Sequence, residues 1–167
     1  MGKIIQQARL QNSADMAALL AGKIKPGKVR TAEVKLLVDT GAAMLCLTPK
    51  TIEALGLHKL HEREVITGNA IAQRAVYEPV RIRINDREAD LNVMEVPTGT
   101  PPLLGYLPLE ALDLYPNLKQ RVLEGNPQYD GKMVTDALIH RGRAKPACTP
   151  LLAPLTNALH MSGRAIS

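Results

Sequence analysis

Apolar and polar residues change rhythm several times along the chain, and each change marks an element. Residues 3–12 read as a strand or extended arm. Asn12-Ser13-Ala14-Asp15 then offers capping residues before Met16-Ala17-Ala18-Leu19-Leu20-Ala21, a short helix that Gly22 closes. Lys23 to Lys28 is turn material around Pro26-Gly27, and Val29 to Val38 resumes an extended pattern. After Leu36-Leu37-Val38 the sequence breaks into Asp39-Thr40-Gly41-Ala42, and from Ala43 to Leu47 it is again apolar and strand-like. Thr48 is a good N-cap, Pro49 a good first helical residue, and Gly56 stands where a C′ glycine should follow a helix over Lys50 to Leu55.

Glu62 to Tyr77 carries β-branched residues on both sides of Thr67-Gly68-Asn69-Ala70, whose Gly and Asn tolerate positive φ. It predicts a hairpin with an exposed polar tip. Val80-Arg81-Ile82-Arg83-Ile84 alternates apolar and cationic residues, a period-two strand with one buried face. Asn85-Asp86 is turn material before a further strand over 89–96, so these strands should be antiparallel neighbours. A loop over 97–102 leads into Leu103-Leu104-Gly105, as if a strand ran into a tight packing point. Pro108 to Asp113 reads as a short helix beginning at its proline. Leu114-Tyr115 and Arg121-Val122-Leu123 suggest a closing hairpin turned at Pro116-Asn117. The pattern divides the chain into an arm and short helix over 1–28, a compact domain over 29–127, and a basic, flexible tail over 128–167 with three prolines and no sustained period.

Composition narrows this picture. With 167 residues and 46% hydrophobic content, one domain can bury roughly two-thirds of its unfolded surface. There are four Tyr and no Phe or Trp, so the core must be built from Leu, Ile, Val, Ala and Met. The net charge of +5 belongs to the ends: residues 30–127 carry eleven Lys/Arg against thirteen Asp/Glu. A basic stripe on the folded core with aromatic platforms would mark a nucleic-acid protein, and the sequence has neither. Cys46 and Cys148 lie too far apart to define a disulfide framework, and Cys46, within Met44-Leu45-Cys46-Leu47, reads as a buried thiol. No stretch approaches membrane-spanning length and no apolar leader follows Met1, so we expect a cytoplasmic protein with no membrane partner. His58 and His61 lack further ligands at metal spacing, and Arg81, Arg83 and Arg87 among Asp86, Glu88 and Asp90 suggest a mixed-charge outer face.

The chemistry concentrates at Asp39-Thr40-Gly41-Ala42. A carboxylate at the end of a buried strand, followed by a hydroxyl and a glycine, suits acid/base work on water. It is half of a site, because a second carboxyl must hold the complementary proton and the chain has no other Asp-Thr-Gly or Asp-Ser-Gly. The other half would come from another copy of the chain.

Taken together, residues 30–127 resemble the retropepsin-like aspartic proteases, the single-domain relatives of retroviral proteases and of pepsin. The resemblance rests on Leu36-Leu37-Val38-Asp39-Thr40-Gly41-Ala42, the glycine-containing hairpin over 62–77, and Leu103-Leu104-Gly105 followed at once by a short helix. It implies a mostly β fold, a closed and mostly antiparallel β-barrel domain with one or two short helices, working as a two-fold homodimer. Asp39 would be catalytic, two such carboxylates sharing one proton because both cannot ionise cheaply at close range. Thr40 would bond across the dimer axis, while Gly41 and Ala42 fit the tight loop. Thr67, Gly68, Asn69 and Ala70 would tip a flap that closes over an extended peptide substrate, the alternative being an ordinary surface hairpin. Leu103, Leu104 and Gly105 would pack beneath the site, as a plain core strand also would. No metal or other cofactor is implied.

Three functions are therefore open from sequence: an aspartic endopeptidase, a non-catalytic dimerisation or peptide-binding module on the same fold, and a nucleic-acid-associated protein resting only on the terminal charges.

Overall fold

The computed structural model describes residues 3–67 and 70–134, which lie within the first of two units, Met1–Thr135. Residues 135–167, most of the expected flexible tail, and the hairpin-tip residues Gly68 and Asn69 lie outside the described residues. In chain order the elements are β1 (Ile5–Asn12), α1 (Ser13–Leu20), β2 (Thr31–Val38), β3 (Leu45–Leu47), α2 (Pro49–Leu55), β4 (Lys59–Thr67) and β5 (Ala70–Ile84). They are followed by β6 (Arg87–Glu95), β7 (Leu103–Leu104), α3 (Tyr106–Ala111), β8 (Leu114–Asn117) and β9 (Val122–Gly125). The fold is mostly β with short helices, as expected.

Seven strands form one sheet in the order β1-β2-β7-β3-β6-β5-β4, and a further pairing of β1 with β5 closes six of them into a ring. Most pairings are antiparallel, but β2 with β7 and β3 with β6 are parallel. The parallel pairs follow from one topological event. β2 and β3 run antiparallel on either side of the Asp39 loop, and β7 enters between them instead of leaving them to pair directly. β1 bonds β2 along seven register pairs and the far end of β5 along four, so of the two readings of this segment, strand or arm, it is a strand and a full member of the ring.

Alternation explains the core. Leu36, Leu45, Leu47, Val80, Ile82, Ile84, Val93 and Leu104 fill the ring's interior, and α2 closes it with Ile52 and Leu55. The cationic residues between Val80, Ile82 and Ile84 face outward, where Arg81 pairs with Asp90 and Arg83 with Glu88. Arg87 corrects the expectation of an outer charged face. It is 4% exposed, and its guanidinium donates to the carbonyls of Leu112, Asp113 and Gly131 and to the Asp113 carboxylate. Four acceptors meeting one planar fork allow that charge to stay inside.

Three other boundaries differ from the sequence reading. β5 runs unbroken through Pro79, because an irregularity between Tyr77 and Pro79 absorbs the missing N–H. α3 starts at Tyr106 with Pro108 inside its first turn, where no N–H is needed. Pro116 and Asn117 belong to β8, and the turn lies beyond them at 118–121. There the Asn117 side chain accepts from the N–H groups of Lys119 and Gln120, and Arg121 takes φ 59°.

The helix ends are fastened by side chains. Asn12, 1% exposed, accepts from Asp15 N at 3.1 Å and donates to Leu55 O at 2.9 Å, capping the start of α1 and the end of α2 at once. Gly56 ends α2 with φ 59°, and a Cβ there would meet the Arg30 guanidinium, which reaches across to the Asp15 carboxylate at 2.7 Å. That contact with Arg30 lowers the Asp15 pKa, and Arg81 and then Ser13 lower that of Asp90 against its burial. Asn12→Ala removes a cap and strands a buried carbonyl, which should destabilise the fold by about 2 kcal/mol in urea unfolding. Because the folded pKa values of Asp15 and Asp90 are depressed, their contribution is complete above the unfolded carboxylate range. It is lost as pH falls through the folded values. The urea midpoint should therefore drop on acidification below about pH 4, with a shallower fall in Asp15→Asn.

Candidate active site

The Asp39 loop takes its shape from β7. Asp39 N donates to Leu104 O at 3.0 Å, continuing the β2–β7 ladder by one residue, and Ala42 N donates back to Asp39 O at 3.1 Å. The far side of the loop is held by the start of α3: Tyr106 N donates to Ala42 O at 2.9 Å and Leu107 N to Ala43 O at 3.1 Å. Between these two sets of bonds lies Gly105. A Cβ at that position would stand 2.6 Å from both the Ala42 and Met44 carbonyl oxygens, so no other residue lets the chains cross this closely. Strand, loop and helix are fastened at one crossing.

The crossing leaves the side chains in distinct positions. Leu104 is fully buried beneath the loop, whereas Leu103, pointing the other way along the strand, is half-buried and forms part of a cleft wall. Asp39 is half-buried, and its Oδ1 accepts from Gly41 N at 2.9 Å. Thr40 and Gly41 are exposed at the loop's crest, and among the described residues the Thr40 hydroxyl makes no hydrogen bond. Ala42 is half-buried beside the carboxylate.

Asp39 opens into a cleft of about 920 Å³. One wall is the Asp39 loop and β3, with Ala42, Met44 and Cys46. The opposite wall is the β4–β5 hairpin, with Arg63, Val65 and Arg74. The candidate hairpin and the candidate loop, 20 residues or more apart in sequence, thus line one space. Thr67 pairs with Ala70 at the described end of the hairpin, and Ile66, 84% exposed, pairs with Ile71, 70% exposed, one residue further in.

Cys46 is buried as expected, but it also lines the cleft. Burial first, and then the charge of the neighbouring Asp39, push its thiol up to about 11. Sequence reasoning did not single out Arg63, Arg74 or Met44. The two arginines were accessible to it, since a hairpin centred on the tip Thr67 to Ala70 sets position 63 opposite position 74. His58 binds Glu78 through Nδ1 at 2.9 Å, and among the described residues no three His, Cys, Asp or Glu side chains converge as a metal site. Among them, too, no helix is long and apolar enough to cross a membrane.

A family model described as "gag-polyprotein putative aspartyl protease" matches residues 26–110, just over half of the chain. No curated protein matches the sequence. Among solved structures, the chain is similar to the EIAV protease complexed with the inhibitor HBY-793. The identity is 20% and the TM-score 0.39, covering 48% of this chain and 77% of that one.

The coupling between Cys46 and Asp39 can be read in solution. Asp39→Asn should lower the Cys46 pKa toward the value that burial alone sets. Alkylation at about pH 9 would then run faster, with peptide-resolved mass spectrometry separating Cys46 from Cys148. An unchanged pH profile would mean that the Asp39 charge does not reach the thiol.

Proposed function

The chain belongs to the gag-polyprotein family of retroviral-type aspartyl proteases, and from that premise we propose that it is a homodimeric endopeptidase in which two copies of Asp39 activate water. The observation that carries this reading is the disposition of the Asp39 loop. Its inner side is tied down by backbone bonds to β7 and α3, and its crest, Thr40 and Gly41, is exposed toward any second copy. A site with one such carboxylate is chemically incomplete, and a two-fold axis beside Thr40 supplies the second.

In the dimer one Asp39 is ionised and the other protonated, since two carboxylates in contact do not both ionise readily. The ionised Asp39 takes a proton from water as the water oxygen bonds to the peptide carbonyl carbon. The protonated Asp39 gives its proton to the carbonyl oxygen, and a tetrahedral diol results. The carbon–nitrogen bond then breaks as the departing nitrogen takes a proton from one carboxyl. A diol hydroxyl returns a proton to the other, leaving a carboxylic acid and an amine. Thr40 acts as a positioning residue that bonds across the axis, and Gly41 and Ala42 keep the loop compact.

The β4–β5 hairpin serves as the flap, with its tip at Thr67, Gly68, Asn69 and Ala70. Its place across the cleft supports this, as does the exposed Ile66–Ile71 pair, an apolar surface that a bound peptide or the partner's flap would cover. Leu103, Leu104 and Gly105 hold the floor. The substrate is an extended peptide, the reaction uses no metal or other cofactor, and membrane and nucleic acid have no part in it. We place the protein in the cytoplasm.

A second reading, a binding module without catalysis, draws on the Gly41 N–H bond to Asp39 Oδ1, which a purely structural carboxylate would also accept. Cleavage separates the two. Asp39→Asn should reduce hydrolysis of susceptible peptides by about 10²-fold or more. Wild-type activity should fall faster than linearly on dilution as dimers dissociate, with sedimentation recording the dimer. A verified dimer that cleaves nothing in a diverse peptide library between acidic and neutral pH would leave the binding module.

A further inference from the structure

Across the cleft from Asp39, the β4–β5 hairpin carries a charge arrangement that sheets avoid. Its register sets Arg63 directly opposite Arg74, and like charges opposite one another on one face destabilise a strand pair. Both side chains line the cleft that contains Asp39, and Arg74 is half-buried there. Five of the six other arginines of the described chain have acidic partners, Arg9 with Glu33, Arg30 with Asp15, Arg81 with Asp90, Arg83 with Glu88 and Arg87 with Asp113, the exception being Arg121 in the exposed turn after β8. Among the described residues, neither Arg63 nor Arg74 has one.

The two nearest glutamates of the cleft wall, Glu95 and Glu64, keep their charge but are oriented by neutral donors and make no ion pair with either arginine. Glu95, on the cleft wall, accepts the Tyr77 hydroxyl at 2.5 Å, a bond that with burial pushes the tyrosine up to about 12. Glu64 accepts from Gln73 Nε2 at 3.2 Å. Arg63 makes only a weak contact, Nη1 to Met44 Sδ at 4.0 Å, which carries its guanidinium from the hairpin to the opposite wall. Two arginines at opposed register positions therefore line a partly enclosed space without a direct ion pair, although Asp39, Glu64 and Glu95 line the same cleft.

We propose that Arg63 and Arg74 form a cationic subsite that selects substrates bearing an Asp or Glu side chain near the scissile bond. The proposal rests on the endopeptidase reading and names the substrate class of that same cleft. A carboxylate entering between two guanidinium groups gains charge-assisted hydrogen bonds and also relieves the repulsion of the empty state. A Lys or Arg at the same substrate position would meet two like charges, so the pair rejects as well as selects. The arrangement weakens the free hairpin and becomes favourable only when a ligand is present.

The test maps cleavage of a diverse peptide library by the wild-type protein. Asp and Glu should be enriched, and Lys and Arg depleted, at one fixed position relative to the cut. For matched peptides carrying Glu or Gln there, kcat/KM should favour Glu by roughly tenfold. The ratio should fall toward one when both Arg63→Ala and Arg74→Ala are introduced, invert toward Lys with Arg63→Glu and Arg74→Glu, and persist with Arg63→Lys and Arg74→Lys. In a separate arm, Asp39→Asn should bind the same Glu and Gln peptides, scanned at each position, with a similar ratio by fluorescence anisotropy. That ratio should shrink as salt rises. Cleavage without acidic preference, or a preference indifferent to the charges at 63 and 74, overturns the subsite alone. No cleavage together with Glu-over-Gln binding overturns the endopeptidase reading and leaves the subsite standing. Absence of discrimination in both arms overturns the subsite.

Discussion

The structure depends on one close crossing, where β7 passes between β2 and β3 and the chain turns at Gly105 against the carbonyls of Ala42 and Met44. That passage pulls the Asp39 loop open, because β2 and β3 cannot pair with each other while β7 lies between them. It also satisfies the loop's backbone from below, through Leu104 O to Asp39 N. A loop fastened on its inner side alone keeps its crest exposed, so Asp39 is held by backbone bonds and half-exposed at once.

The same economy governs charge. The fold accepts one buried guanidinium, Arg87, and surrounds it with carbonyls and the Asp113 carboxylate, joining β6 to the α3–β8 corner and to Gly131. On the outer faces, arginines lie beside acids at matching register positions, as Arg81 does with Asp90. Arg9 and Arg83 also oppose each other across β1 and β5, but each has a glutamate beside it, whereas Arg63 and Arg74 oppose each other in the cleft without an ion pair, and Glu95 and Glu64 are bonded to Tyr77 and Gln73. Local rules of pairing are broken in the place where a ligand would make the arrangement favourable, which is where natural sequences tend to depart from internal consistency.

Much of this was legible along the chain because its signals are local. The caps Asn12 and Thr48, the glycines at 22 and 56, and the alternation of Val80, Ile82 and Ile84 each act within a few residues, and each element formed where those signals placed it. The misplacements share a cause. Pro79 and Pro116 fall between elements and Pro108 at a helix start when only the chain is considered, yet each lies inside an element where no backbone donor is required: at a strand irregularity, on a short two-stranded sheet, and in a first helical turn. Arg87 was misread for a similar reason. Its partners Leu112, Asp113 and Gly131 come from 25 to 44 residues away, beyond any periodicity.

The sequence by itself determined the family, the mostly β character and the run Asp39-Thr40-Gly41-Ala42 at the end of a buried strand, because these depend on residue identity and on the two-residue period of a half-buried strand. Only the tertiary structure decided that β7 separates β2 from β3, that Leu103 faces the cleft while Leu104 lies beneath the loop, and that Arg63 and Arg74 share a wall with no acid between them. Those outcomes are set by which distant strands pair and in what register. A shift of one residue in pairing would have turned the same side chains to the opposite face.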